Sequence, residues 1–420
     1  MKLMLASCVF TTLTALAARG QNDAPLANEV VRWNQVATDA LAAADTDPVT
    51  ESRTLSIVQI AVHDALNAVD ARFQSYTTIE PAAKTASADA AIAEAAHDAM
   101  VALLPSAKVT LDEELARSLK SIVEGDAKSR GVELGRRASS AALAARAKDG
   151  SDRKVELAAG TKPGEYRPTP PDLTPAWNAG WGSVTPFVLR SATQFRPAAP
   201  PAIDSALARR DTEQVQSIGG QGSAVRTDEQ SQISRFWYEN SPRGWNRIAR
   251  TVARARQLDA WESARLLALT NLAMADGFIA SFEAKYHYAY WRPVTAIRAA
   301  GAGEWLSDLP TPPIPDYPSG HATLGAAAAT VLARYFDNDF VAFEMTSGKP
   351  FAGITRKFWS FSEAARENAA SRVLAGIHFP TAVRAGCQLG EDVGTWVFEH
   401  SLLPREAKSA PLAASETARR

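Results

Sequence analysis

The distribution of proline limits the fold of this chain more than any other feature. Between residues 160 and 225 stand Pro163, Pro168, Pro170, Pro171, Pro175, Pro186, Pro197, Pro200 and Pro201. A residue that fixes φ and lacks a backbone donor precludes long helices at that density. The stretch therefore reads as a loop-rich connector, and the interleaved Trp177 and Trp181 argue that it packs over the core, at the mouth of a site, instead of hanging as a disordered linker. On both sides helical periodicity takes over. Ile92, Ala95, Ala96, Ala99 and Leu103 recur at helical spacing, and Thr110-x-x-Glu113 reads as a capping box ahead of Leu111, Leu115 and Leu119. Asp259-x-x-Glu262 opens a helix running towards Phe282, Ser360-x-x-Glu363 opens another reaching about Leu374, and Pro380 fits the first turn of a third ending near His400. The prediction is an all-α protein: a helical bundle core that carries the functional site, a helical N-terminal half and a Pro/Trp-rich connector.

The expected organisation is a signal peptide at 1–17, an N-terminal helical region at 25–150, the connector at 151–225, a helical catalytic region at 226–403 and a flexible tail at 404–420. Met1-Lys2, the apolar run Leu3 to Ala17 and the small-residue end Ala15-Leu16-Ala17 have the form of an export signal. That predicts a periplasmic or secreted protein with no membrane-spanning segment in the mature chain. Cys8 leaves with the signal, so Cys387 remains alone and no intrachain disulfide is expected. Cys387 lies in an apolar helical stretch without a neighbouring base and reads as a structural thiol. The formal net charge of -1 supplies no overall field to draw in nucleic acid, so any anion binding must be local.

The cations that matter are the few that converge. Lys285 and Arg292-Pro293, then Pro318-Ser319-Gly320-His321, then Arg372 with His378 six residues on, offer three cations, backbone donors and two imidazoles to one tetrahedral oxyanion. Lys285 and Arg292, seven apart, are expected on one face of a helix, two turns from each other. Tyr286, His287, Tyr288, Tyr290 and Trp291 between them are expected to wall the site, with His287 as wall or supporting residue. Ser319 is placed at a helix N-cap, where free N–H groups favour an anion and Gly320 permits close approach. His378 falls in a helix break between Gly376 and Pro380. His63 and His97, each followed by an aspartate, lack further nearby ligands and read as structural.

In combination, Lys-x6-Arg-Pro, Pro-Ser-Gly-His and Arg-x5-His resemble the superfamily of vanadium-dependent haloperoxidases and type 2 phosphatidic acid phosphatase-like enzymes. Arg226-Thr227-x-x-Gln230 to Phe236-Trp237, and Trp181-Gly182 to Thr185-Pro186-Phe187, are similar to its soluble, chloroperoxidase-type branch, and the likeness covers most of 160–395. The resemblance implies that His378 ligates vanadate or attacks phosphorus, that Lys285, Arg292, Ser319, the Gly320 N–H and Arg372 form the cage, and that His321 is the acid/base. In the peroxidase alternative the cofactor is vanadate, Lys285 polarises the peroxide, and hydrogen peroxide and halide are the substrates. In the phosphatase alternative there is no cofactor and a phosphoester is cleaved through a phosphohistidine. A non-catalytic oxyanion-binding protein is the third. The chain departs from the branch where an acid orients the acid/base histidine, offering Asn240 with Glu239 beside it, and at the halide site, where Phe282 and Ile314 replace Trp and Phe. These departures favour bromide or iodide over chloride. The sequence carries no signal for oligomeric state.

Overall fold

The computed structural model describes residues 28–81 and 85–405. The signal-peptide expectation, Cys8 and nearly all of the expected tail lie outside the described residues. Five helices form the first half: α1 (Glu29–Ala43), α2 (Pro48–Val69), α3 (Ala88–Leu103), α4 (Lys108–Lys120) and α5 (Asp126–Arg146). Asn28, Asp47 and Ser87 cap α1, α2 and α3 through side-chain oxygens that accept backbone N–H groups. The expected Thr110 box does not form. Pro105 starts a 3₁₀ turn (Pro105–Ala107) that runs directly into α4, so Thr110 already lies inside the first helical turn.

The connector corrects the expectation in one place. After Pro201 no proline occurs before Pro242, and the freed stretch folds as α6 (Ala206–Ile218), capped by Ser205. The proline-dense part is non-helical apart from the short turn Trp181–Ser183, and is held down by one buried carboxylate. Asp276 accepts from the backbone N–H groups of Phe187, Val188 and Leu189 at 2.6, 2.8 and 2.8 Å.

The second half contains α7 (Asp228–Phe236), α8 (Ser241–Ala255), α9 (Ala260–Tyr288), α10 (Pro293–Ala299), α11 (Gly320–Tyr335), α12 (Phe361–Leu374) and α13 (Pro380–His400). An antiparallel hairpin, β1 (Phe343–Thr346) with β2 (Thr355–Phe358), pairs Phe343 with Phe358. The Asp259–Glu262 box caps α9 reciprocally, as read from sequence. At 29 residues α9 is the one described helix long and apolar enough to cross a membrane, but 94% of its apolar window is buried. It is the central post of the protein, packed by α2 from the first half and by α11 and α13 from the second, and one apolar core runs through both halves.

The approach of α13 to α11 places the two helix starts side by side. Gly386, Gly390 and Gly394 repeat every four residues along α13, and a Cβ on each would stand 2.5, 2.1 and 2.6 Å from the carbonyl oxygens of Ser319, Thr323 and Ala327 of the preceding turn or of α11. Only the absence of side chains allows the backbones this close. The Ser319 N–H donates to Ala382 O at 2.9 Å, completing the junction.

Candidate oxyanion site

Each cation arrives on a different element. Lys285 is on the last turn of α9, which Ala289 ends in the left-handed conformation at φ 42°. Arg292 then serves as the residue before α10. The two are therefore not two turns apart on one helix: the chain breaks between them, because Pro293 restricts Arg292 to extended backbone. The break folds them together instead. Arg372 is near the end of α12, and Gly376 at φ 78° turns the chain back so that His378 lies in the break before Pro380. A Cβ at Gly376 would meet the Gly219 carbonyl oxygen at 2.0 Å.

All of these groups are withdrawn from water. Lys285, Arg292 and Ser319 are fully buried, and Arg372 and His378 nearly so. Lys285 Nζ donates to the carbonyls of Pro315 and Asp316 at 2.8 and 3.0 Å. Arg292 donates from Nε to Ile314 O at 2.7 Å and from Nη1 to Ile377 O at 2.6 Å, and Arg372 from Nη1 to Trp237 O at 3.1 Å. These bonds fix the guanidinium planes and leave Arg292 Nη2, Arg372 Nε and Ser319 Oγ buried without a protein partner. An unsatisfied buried donor costs about 1–3 kcal/mol, so three of them around one imidazole call for an acceptor rich in oxygen.

His378 is the centre. Its pKa is held well below the usual imidazole range by burial first, then by Arg292, Lys285, Arg372 and His321, which keeps the ring neutral. Nδ1 lies 2.8 Å from Asp316 Oδ1, though not aligned as a hydrogen bond, while Nε2 lies 3.1 Å from Arg292 Nη1. A proton on Nδ1 facing Asp316 leaves the Nε2 lone pair to accept from Arg292 Nη1, a contact that a ligand on Nε2 would replace. Burial and the adjacent cation Arg292 likewise hold Lys285 well below its usual value, and burial lowers Arg372 to about 10. Burial raises Asp316 to about 7, opposed by Arg292 and Lys285.

Asp316 is the residue that sequence reasoning missed. Its signal was present: a single acid inside the run Leu309 to Pro318, which is otherwise proline, apolar residues, a threonine and a tyrosine. Tyr238, over which the Arg372 guanidinium sits at 5.5 Å, was missed as well.

His321, half-buried in the first turn of α11, has Nε2 3.2 Å from the backbone carbonyl of Glu239. Burial and then Arg372 hold its pKa well below the usual range. Asn240 does not orient it. The Asn240 amide donates instead to Thr46 O and Glu51 Oε2, at 3.2 and 3.0 Å, because its place before α8 turns the side chain towards α2. His287 is also corrected: it is exposed at the end of α9, against Tyr288, and walls nothing. The wall is Phe282, packed among Trp177, Phe278 and Tyr286, with Gly320 3.8 Å from Phe278 measured from an added Cβ. Ile314 is buried and contributes the carbonyl that fixes Arg292. Trp177 thus brings the connector over the site.

The remaining candidates are structural in their surroundings. His63 is buried between Asp64 and Asn67, and His97 pairs with Asp98 and Asp112. No group of three or more metal-type ligands occurs among the described residues. The Cys387 thiol is pushed up to about 11 by burial.

Comparison with known proteins follows the same lines. The family model described as the VCPO second helical-bundle domain matches residues 265–405. The vanadium chloroperoxidase of Curvularia inaequalis is 27% identical over 223 aligned positions, and the match covers 37% of this chain and 37% of that protein. The crystal structure of the first bacterial vanadium-dependent iodoperoxidase superposes with a TM-score of 0.83 at 27% identity, covering 90% of this chain and 98% of that one. A holo bacterial vanadium-dependent chloroperoxidase shares the fold, with a TM-score of 0.68 at 21% identity over 84% of this chain and 91% of its own. The motif order, the helical fold and these likenesses all support the vanadium haloperoxidase superfamily as the family this chain resembles.

Proposed function

We propose that the chain is a vanadate-dependent haloperoxidase that oxidises iodide or bromide, in preference to chloride, with hydrogen peroxide. The observation that carries this reading is the set of buried, unpartnered donors, Arg292 Nη2, Arg372 Nε and Ser319 Oγ, around the neutral imidazole of His378. The donor set fits vanadate. His378 would ligate it, and Lys285, Arg292, Ser319, the Gly320 N–H and Arg372 would neutralise its oxygens. Vanadate, when bound, would supply Lewis-acid activation of hydrogen peroxide towards halide.

The protein's own contributions are positional and electrostatic. Asp316, 2.8 Å from His378 Nδ1, would support the ring and its tautomer once a ligand occupies Nε2. Lys285, fixed by two carbonyls, would present Nζ as a hydrogen-bond donor to an oxygen of the bound oxyanion. His321, whose Nε2–H donates to the Glu239 carbonyl, would move a proton at Nδ1. Phe282 and Trp177 exclude water and strengthen each charge contact. Phe282 and Ile314, where the resemblance puts the halide site, are both buried and apolar, which suits the larger, more readily oxidised halides.

One observation favours a phosphatase as the second reading: a neutral imidazole with an acid at Nδ1 and only a hydrogen-bond donor at Nε2 is also the arrangement of a nucleophile. The discriminating experiment gives purified protein bromide or iodide, hydrogen peroxide and an organic acceptor, with and without orthovanadate. Vanadate-dependent halogenation supports the peroxidase. Hydrolysis of p-nitrophenyl phosphate, inhibited by vanadate and without halogenation, would replace it with the phosphatase. The same reading includes export, resting on the leader-like residues 1–17.

A further inference from the structure

A cation-lined cavity outside the His378 site is lined in part by Glu239, the residue whose carbonyl meets His321. It has a volume of about 350 Å³ and is bounded by α1, α8 and the loop at Gly348 and Lys349. Four cations, Arg243, Arg247, Arg250 and Lys349, face two carboxylates, Glu239 and Asp39. Arg247 is taken up by a two-point contact with Glu239, at 2.7 and 3.0 Å, and Arg243 by Glu51 at 2.7 Å. Asp39 is exposed and accepts from Gln35.

Arg250 differs from its neighbours. It is 2% exposed, yet among the described residues it has no carboxylate partner. Its Nη1 donates to the neutral oxygens Asn34 Oδ1 at 2.6 Å and Thr38 Oγ1 at 3.3 Å, and its Nε has no partner at all. Burial together with Arg247 and Arg254 lowers its pKa to about 9. A guanidinium drawn from water normally gains a counter-charge. Here Asp39 and Glu239 act on it only from beyond salt-bridge distance, and a cavity opens beside it with the exposed Lys349 at its rim.

We propose that this pocket is a separate binding site for a small oxyanion, a phosphate or carboxylate, held by Arg250 and Lys349 with the outer edges of Arg243 and Arg247. An occupant would share Arg247 with Glu239. Because the Glu239 carbonyl faces His321 Nε2 at 3.2 Å and its side chain accepts from Gly348 N at 3.0 Å, the pocket is one residue removed from the reaction site. Space at this junction is tight: a Cβ on Gly348 would stand 2.4 Å from Glu239 Oε2.

The test is calorimetric titration of the full chain with inorganic phosphate. Two binding events are expected, one at the His378 cradle and one in the pocket. Lys349→Ala, an exposed change, should weaken one event at least tenfold, and Arg250→Gln should remove that same event. Arg372→Ala should remove only the other. Thermal unfolding of each variant establishes that it is folded. A single event that responds to Arg250→Gln and Lys349→Ala would keep the pocket and count against the cradle. The proposal is overturned if no phosphate event responds to either pocket variant while Lys349→Ala is folded.

Discussion

At the scale of single residues, the chemistry depends on how burial is divided between charges that are paired and charges that are not. Asp316 is the test of the central imidazole. It touches His378 and no solvent, so Asp316→Asn should preserve the fold and weaken vanadate binding about 10–100-fold, as losses of a ligand's orienting partner commonly do. Unchanged binding would show that His378 needs no such support. A second residue makes a prediction in pH. Burial raises the Glu51 carboxyl to about 7, against the pull of Arg243 and Asn240. A raised folded-state pKa means the folded chain keeps a proton the unfolded chain loses, so this contribution is full below pH 4.5 and is lost as pH rises through 7. Chemical denaturation should therefore show stability falling by about 1–3 kcal/mol across that window. Glu51→Gln should flatten the fall, and an identical pH profile in the variant would contradict it. Residue identities were the most legible part of the site: Lys285, Arg292, Ser319, Gly320, His321, Arg372 and His378 are all brought to one place. Asp316 and the Glu239 carbonyl were hidden for different reasons. One is an acid whose neighbours in sequence are unrelated to its partner in space, and the other acts through backbone, which has no letter.

At the scale of elements, helix breaks and glycines do the positioning. The capping signals read at Asp259 and Ser360 are short-range, and both side chains accept the backbone N–H three residues on. The Thr110 signal failed because Pro105 started the turn earlier. Lys285 and Arg292 show why spacing alone misleads: seven residues across a left-handed Ala289 and an extended Arg292 are not two turns of helix. The stripe Gly386, Gly390 and Gly394 sets the α11 to α13 distance. Gly390→Ala should cost about 1–3 kcal/mol, the usual range for overpacking, and should lower vanadate affinity, because it pushes the His378 end of α13 from Ser319. Stability without change would mean that the helices can separate freely.

At the scale of the whole molecule, one apolar core built on α9 joins two helical halves, and the proline-dense connector is laid across it by Asp276 and Trp177. Fold class was legible because amphipathic period and proline density are properties of the chain itself. The course of the connector was not, since its anchor, Asp276, is 87 to 89 residues distant. The central claim is that this architecture encloses one oxyanion at His378, and equilibrium dialysis against orthovanadate tests it most directly. Wild-type protein is expected to retain a tightly held vanadate that His378→Ala loses and that Arg292→Ala or Arg372→Ala each weaken by about tenfold or more, the value of at least one charge-assisted bond. Retention of vanadate unchanged in all three folded variants, or none in the wild type, would contradict it.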